Sequence, residues 1–207
     1  MVSYPPTLAA ALGGVTLHQL KYWRAQPKPI LRPERSGRPV RYSFRDLLAI
    51  RTFGALRTEV SMQKIRKAVE NLHKIEDVEH LSNYKLVTDG TTIMWIAADD
   101  AVDLLKRPGQ HVLAVMRDVL DTFESRTGQR VVPLLRPARG VVVDAEILSG
   151  FPVVEGTRIP YDTIAGLVSD HVPPESIRYF YPSVSDLGIS GAVALDDYVS
   201  GYNSQAA

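Results

Sequence analysis

Apolar residues recur at helical spacing over the first part of the chain and are interrupted by turn residues. Residues 7–12 are rich in alanine and leucine and are followed by Gly13 and Gly14, which predicts a short helix ending at a glycine turn. Thr16 is a suitable N-cap for a second helix, from residue 17 to about residue 25. Two short helices joined by a turn that contains glycine are typical of a helix-turn-helix.

Two further helices are predicted after a proline-rich stretch. Residues 27–40 contain four prolines and one glycine, so they cannot form the interior of a helix. Ser43 and Asp46 have the spacing of a capping box, and apolar residues keep helical spacing from there to about residue 58. Ser61 begins another predicted helix, whose apolar positions are Ile65, Val69 and Leu72.

The pattern changes after residue 76. Residues 84–97 hold two strand-like runs around Asp89 and Gly90, which predict a β-hairpin. Residues 111–123 have a broad apolar face and predict a helix, which either packs against this hairpin or forms a dimer interface. Residues 125–140 contain proline, glycine and scattered arginine and predict a linker.

A second unit is predicted from residue 141 onward. A strand-like run and a turn at "EGTRIP" precede two or three short helices. Asp162 is a candidate cap of the first, Pro174 a candidate first residue of the second, and Pro182 its end. The chain is therefore predicted to be mainly α with short β elements, an α+β fold. Its predicted parts are a helix-turn-helix domain (1–76), a hairpin-and-helix region (77–124), a linker (125–140) and a small three-helix domain (141–207).

The helix over 17–25 has two different sides. At about 100° per residue, Leu17, Leu20 and Trp23 share one side and are predicted to face the core. The other side carries hydrogen-bond donors and no acid, as a helix that reads base edges and phosphates requires. For Tyr22, packing in the core and exposure stay open as alternatives. Candidate DNA-binding residues on this helix are Thr16, His18, Gln19, Lys21, Tyr22 and Arg24.

Charge is distributed unevenly along the chain. Residues 1–74 contain 14 Lys and Arg against 4 acids, and the remainder contains 10 against 19. A basic first third indicates a polyanionic partner, and the acidic remainder indicates a different one. The loop after the second helix adds further candidate DNA contacts, namely Arg32, Arg35, Arg38, Arg41 and Tyr42.

Enzymatic chemistry is not indicated. The sequence has no phosphate-binding glycine loop followed by lysine, no GxSxG and no HExxH. The five histidines lack ligand spacing, and the absence of cysteine excludes disulfides and thiolate metal sites. We therefore expect no catalytic residue, metal or cofactor. With no apolar run as long as a membrane span and no signal-like N-terminus, we also expect a cytoplasmic protein.

Residues 4 to about 70 resemble the winged helix-turn-helix of the MerR family of transcription regulators. The matching segments, in order, are "GVTLHQLKYW", "LRP", "GRPVRYSFRDLLAI" and "VSMQKIRKAV". The resemblance implies that Lys21 and Tyr22 contact DNA from the second helix and that Arg41 and Tyr42 do so from the end of the wing. The family usually continues into a long dimerising helix, whereas a hairpin and a shorter helix are predicted here.

Residues 144–185 are similar to a small domain of unknown function found in many bacterial antitoxins. The matching segments are the run "GFPVVEGTRIP", then "ESI" and "YP". Such proteins commonly belong to VapBC toxin–antitoxin pairs, whose toxin is a PIN-domain ribonuclease. The resemblance implies that either a basic side chain, for which Arg158 and Arg178 are the candidates, or a bulky segment occupies the acidic, Mg²⁺-dependent site of the toxin. Residues 141–207 hold nine acids against these two arginines, so we expect this unit to bind a protein rather than nucleic acid.

Together these features predict a VapB-type antitoxin and transcriptional autorepressor. Its N-terminal domain would bind operator DNA, and its C-terminal domain would neutralise the cognate PIN-domain ribonuclease. A homodimer within a hetero-oligomer is expected, because two half-sites provide adequate affinity. The alternatives are a stand-alone MerR-like regulator whose C-terminal part senses a small molecule, and an interaction adaptor that does not bind DNA.

Overall fold

The computed structural model describes residues 3–25, 29–33, 38–75, 85–88, 93–97, 100–103, 110–112 and 119–205. The N-terminal helices are α1 (Pro6–Gly13), α2 (Leu17–Ala25), α3 (Phe44–Leu56) and α4 (Met62–Ile75). Four strands follow, β1 (Lys85–Thr88), β2 (Ile93–Ala97), β3 (Asp100–Asp103) and β4 (Gln110–Val112). Short strands come next, β5 (Phe123–Glu124), β6 (Arg130–Val131), β7 (Val141–Val142) and β8 (Val153–Val154). The chain ends with α5 (Tyr161–Ser169), α6 (Pro174–Phe180) and α7 (Asp186–Gln205). Within the described residues the fold is α+β with helices predominating, as predicted.

Local sequence signals determine the ends of the N-terminal helices. α1 ends where Gly14 takes the left-handed conformation at φ 71° and its N–H bonds to carbonyls of the last turn. α3 begins at a capping box, in which the Asp46 N–H donates to Ser43 Oγ over 3.1 Å and the Ser43 N–H to Asp46 Oδ2 over 2.8 Å. Both predictions are confirmed.

α1 and α3 pack at very short range because glycines lie at their contact. A Cβ added at Gly54 would lie 2.1 Å from the carbonyl oxygen of Gly13, and one added at Gly13 would lie 2.4 Å from Ile50 Cγ2. We expect Gly54→Ala to lower the free energy of unfolding by about 1–3 kcal/mol, as overpacked cores do. Urea unfolding measures this effect. Gly166→Ala is the matched control, because nothing lies within 4 Å of that position in α5. Unchanged stability of Gly54→Ala would contradict the packing described.

In its described residues, the middle region forms an antiparallel sheet that extends the predicted hairpin. β1 and β2 pair antiparallel, with Leu86 opposite Trp95, which confirms the predicted hairpin strands; Asp89 and Gly90 lie outside the described residues. β3 and β4 extend this to an antiparallel sheet in the order β1-β2-β3-β4. The helix predicted over 111–123 is wrong at both ends, since 111–112 lie in β4, 119–121 form a turn and a bend, and 123 lies in β5; residues 113–118 lie outside the described residues. A run of apolar residues does not by itself distinguish a helix from buried strands, and here strand pairing decides.

The segment 125–140, predicted to be a linker, packs against the rest of the chain. β5 and β6 pair with Phe123 opposite Val131, and Leu134 is fully buried. The Arg51 guanidinium of α3 donates to the carbonyls of Asp121 and Val132 over 2.7 and 2.8 Å, and its carbon lies 5.1 Å from the centre of the Phe123 ring. The segment's proline and glycine therefore shape a folded connection that belongs to the core.

The C-terminal unit packs on the first helix. α7 spans 20 residues, longer than the short helix predicted, and lies along α1. The Tyr198 hydroxyl donates to the Ala11 carbonyl over 3.0 Å, and the Asn203 amide donates to the Thr7 carbonyl over 3.1 Å. Tyr4 adds a hydrogen bond from its hydroxyl to the Gly150 carbonyl. The two ends of the sequence thus share one core.

Two shorter helices complete the unit. Pro174 occupies the first turn of α6, and α6 ends at Phe180 before Pro182, as predicted. Asp162 does not cap α5: Pro160 holds the cap position, and Asp162 lies in the first turn, where a carboxylate faces the positive end of the helix dipole.

Buried tyrosines make the fold sensitive to alkali. Burial raises the pKa of the Tyr4, Tyr161 and Tyr198 hydroxyls above the ordinary value of about 10. In the unfolded chain these groups ionise near the ordinary value, so above it the unfolded state releases protons that the folded state retains. Stability should therefore be intact below about pH 10 and fall above it, by about 1.4 kcal/mol per pH unit for each tyrosine. Urea unfolding across this range should show the fall, and Tyr198→Phe should make it shallower. A pH-independent free energy of unfolding would contradict the burial.

Candidate DNA-binding surface

α2 is held in place by two large apolar side chains. Leu20 and Trp23 are buried, and the Trp23 ring meets Phe53 of α3 edge-on with centroids 5.6 Å apart. Leu17, predicted to share this side, is 41% exposed, so that prediction is wrong. Leu17 is the first residue of α2, and the buried residues of this helix are Leu20 and Trp23. The anchor of α2 is therefore confined to its middle and C-terminal turns.

The opposite side of α2 presents hydrogen-bond donors to solvent. His18, Lys21 and Tyr22 are exposed, and Arg24 is partly exposed. Two alternatives were open for Tyr22, packing in the core and exposure. The residue is 45% exposed, so it belongs to the surface. The Arg66 guanidinium of α4 lies 5.7 Å from the centre of this ring, a cation–π contact that supports its orientation.

Thr16 and Gln19, predicted as direct DNA contacts, hydrogen-bond to each other at the start of α2. The Thr16 N–H donates to Gln19 Oε1 over 2.8 Å, and the Gln19 N–H donates to Thr16 Oγ1 over 3.0 Å. This is a reciprocal capping box at the start of α2. The two side chains thus set where α2 begins and, with it, the direction of Lys21 and Tyr22.

The loop before α3 brings further arginines to the surface. Arg32 and Arg38 are exposed and Arg41 is partly exposed, whereas Arg35 lies outside the described residues. Tyr42, predicted as a DNA contact, is buried, and burial raises the pKa of its hydroxyl. Its backbone pairs with Tyr4 in an antiparallel bridge with N···O distances of 2.8 and 3.0 Å. The Tyr42 side chain is therefore part of the core, and that prediction is wrong.

α4 adds basic side chains that the sequence reasoning missed. Lys64, Lys67 and Lys74 are exposed on this helix, and Arg66 contacts Tyr22. The signal was present, because residues 61–75 carry four basic side chains against one acid. The apolar spacing of this helix identifies only its buried side.

Comparison with known families is in agreement with this geometry. Residues 4–72 match the family described as "MerR HTH family regulatory protein". The chain carries a MerR-family helix-turn-helix domain. Residues 141–194 match a second family, described as "Protein of unknown function (DUF433)", so the C-terminus is a DUF433 domain.

Three similar proteins come from mycobacteria. Each is an uncharacterized HTH-type transcriptional regulator, one from Mycobacterium bovis and two from strains of Mycobacterium tuberculosis. Each is 33% identical to the chain over 140 residues, which cover 63% of the chain and 61% of the relative. The chain thus spans less than two thirds of the length of these relatives. No solved structure matches the chain.

The DUF433 domain holds the two arginines expected to block a toxin. Arg158 is exposed and lines an open pocket of about 630 Å³, together with Ile147, Gly156, Thr157, Ile159 and Ser183. Arg178 of α6 forms an ion pair with Asp186, the first residue of α7. Arg178 is thus neutralised by a carboxylate of its own domain, whereas Arg158 has no ion pair with any described residue.

Within the described residues, two kinds of feature are absent. In that part of the chain, no three His, Asp or Glu side chains are grouped so that they could hold a metal ion. Among its helices, none is long and apolar enough to cross a membrane.

Proposed function

We propose that the chain is a DNA-binding transcription regulator that reads DNA through the exposed side of α2. The observation that supports this most is the separation of the two sides of α2: Leu20 and Trp23 fix it to the core, while Lys21 and Tyr22 point to solvent. Lysine and tyrosine donors on an anchored helix can reach base edges and phosphates in the major groove. Arg32 and Arg38 of the adjacent loop supply positive charge for the flanking backbone.

Fluorescence anisotropy with labelled duplexes tests this function. The probe is the DNA upstream of the chain's own gene, and a shuffled duplex of the same length and composition is the control. Tighter binding to the upstream DNA than to the shuffled duplex supports sequence-specific regulation. Equal binding to both would reduce the proposal to non-specific binding, and no binding would contradict it.

We also propose that the DUF433 domain docks a cognate PIN-domain ribonuclease, which would make the protein an antitoxin and autorepressor. Two observations support this step. The similarity of residues 144–185 to antitoxin-associated domains points to such a partner, and the nine acids against two arginines from residue 141 onward disfavour a second DNA contact. A homodimer that occupies two half-sites is part of the same proposal, although the described ends of the run 111–123, at 111–112 and 119–123, are not helical as we expected at its interface.

Co-expression with the product of the adjacent reading frame tests the antitoxin role. Recovery of a stoichiometric complex with a ribonuclease, inactive in the complex, supports it; a neighbour that does not bind would contradict it. Point variants are better suited than truncation, because α7 packs on α1 and its removal would uncover the MerR-family domain's own core.

A further inference from the structure

The turn between β7 and β8 of the DUF433 domain, residues 148–150, has an unusual backbone. Leu148 and Ser149 take the left-handed conformation at φ 49° and 58°, and Gly150 does so at φ 84°. Residues other than glycine rarely adopt this conformation, and they keep it only where the surrounding structure imposes it. The MerR-family domain packs against this turn.

Two side chains of the MerR-family domain contact the turn. The Tyr4 hydroxyl donates to the Gly150 carbonyl, and the Tyr4 ring lies 5.7 Å from the ring of Phe151 between centroids. Phe44, the first residue of α3, is so close that a Cβ added at Gly150 would lie 2.6 Å from its Cδ2. Tyr4, Gly150 and Phe151 are all buried. Water therefore does not compete for the hydrogen bond, which ties the two domains together.

Tyr4 connects this turn to a candidate DNA contact. Its backbone pairs with that of Tyr42 at the end of the loop before α3, with N···O distances of 2.8 and 3.0 Å. Arg41 directly precedes Tyr42 and is partly exposed. Successive side chains of an extended backbone point to opposite faces, so burial of Tyr42 directs Arg41 toward solvent. The direction of Arg41 thus depends on the strand pairing that Tyr4 makes.

The DUF433 domain also acts on Arg41 through charge. Burial raises the pKa of the Asp162 carboxyl in the first turn of α5, and the positive charge of Arg41 is among the influences that lower it. The ring of Tyr161, beside Asp162, stacks on Phe151 with centroids 6.1 Å apart. Phe151 therefore contacts both Tyr4 and the start of α5, and the surroundings of Arg41 include a carboxylate of the second domain.

Resting on the proposed DNA binding, we infer that Tyr4 is a positioning residue: its hydroxyl, bound to the DUF433 turn at Gly150, fixes the end of the loop before α3 so that Arg41 is directed at a DNA phosphate. A basic side chain whose backbone is fixed before binding loses less conformational entropy when it meets a phosphate. The DUF433 domain thus contributes to DNA affinity without touching DNA.

Fluorescence anisotropy with the upstream duplex, over a series of salt concentrations, tests this role. Tyr4→Phe keeps the ring and removes only the hydroxyl. We expect it to weaken affinity by about 3- to 10-fold and to make the plot of log affinity against log salt shallower by about one, as the loss of one phosphate contact does. Arg41→Gln should give the same two changes. Adding Tyr4→Phe to Arg41→Gln should change affinity by less than about twofold, because both substitutions remove the same contact.

Tyr198→Phe is the matched control. It removes another tyrosine hydroxyl that joins the two domains, but this one donates to the Ala11 carbonyl of α1 rather than supporting the loop before α3. It should keep the affinity and the salt slope of the wild type. Phe151→Leu loosens the support of Tyr4 from the DUF433 side and should reproduce the slope change, so it is a second test should Tyr4→Phe fail to fold. Binding is measured well below the melting temperature of each variant.

The outcomes separate this role from a general effect on stability. Wild-type affinity and slope in Tyr4→Phe or in Phe151→Leu would overturn the role of Tyr4, and so would an equal loss of affinity in Tyr198→Phe. Losses that add up in the double variant would overturn the route through Arg41. No binding of the upstream duplex by the wild-type chain would instead overturn the proposed DNA binding, and this inference with it.

Discussion

Arg51→Met is expected to lower the free energy of unfolding by about 3 kcal/mol or more. Arg51 is 0% exposed, and its guanidinium reaches backbone carbonyls from three separate segments. Its acceptors are Leu12, Val119, Leu120, Asp121 and Val132. Methionine fills much of the volume but donates nothing, and each buried carbonyl left without a donor costs about 1–3 kcal/mol. The melting temperature should fall by about 6–12 °C.

Arg45→Met is the matched control, because it makes the same change on an exposed turn of α3 and should alter stability by less than about 0.5 kcal/mol. Arg51→Lys should recover little of the loss, since a single ammonium cannot replace a planar fork with five donors. Urea unfolding followed by circular dichroism measures all three variants. A loss below about 1 kcal/mol for Arg51→Met would contradict the role assigned to this side chain.

The second large effect concerns DNA binding. Lys21→Ala combined with Tyr22→Phe should weaken affinity for the upstream DNA by about 10- to 100-fold, because one phosphate or base donor and one hydroxyl donor are lost. Both side chains are exposed, so the melting temperature should stay close to that of the wild type. Arg158→Ala removes one exposed positive charge from the DUF433 domain and is the control for a general charge effect. Wild-type affinity in the double variant would contradict the assignment of α2.

Much of the MerR-family domain follows from local sequence. The helix ends are marked by Gly14 and by the Ser43–Asp46 capping box, and each of these signals acts over three or four residues. The charge of residues 1–74 and the donors of α2 are equally visible in the sequence. Such features are predictable because neighbours in sequence determine them.

The sequence-based predictions fail where residues that are distant in the sequence determine the local structure. Tyr42 carries a polar hydroxyl in a basic loop, yet pairing with Tyr4, 38 positions earlier, places it in the core. The run 111–123 has a helical pattern, yet its ends pair as strands with segments that no local signal identifies. Leu17 has the right spacing for the core, yet at the first position of α2 it is exposed. The packing of segment 119–132 around Arg51 and of α7 on α1 joins elements that are far apart in sequence, and apolar periodicity carries no information about such contacts.

The most direct test of DNA binding by the MerR-family domain is the salt dependence of wild-type affinity for the upstream duplex. Five exposed or partly exposed basic side chains, Lys21, Arg24, Arg32, Arg38 and Arg41, can each neutralise a phosphate. The plot of log affinity against log salt concentration should then have a slope of about −4 to −5, and Lys21→Ala should make it shallower by about one. A slope near zero, or one that Lys21→Ala leaves unchanged, would contradict DNA recognition through α2.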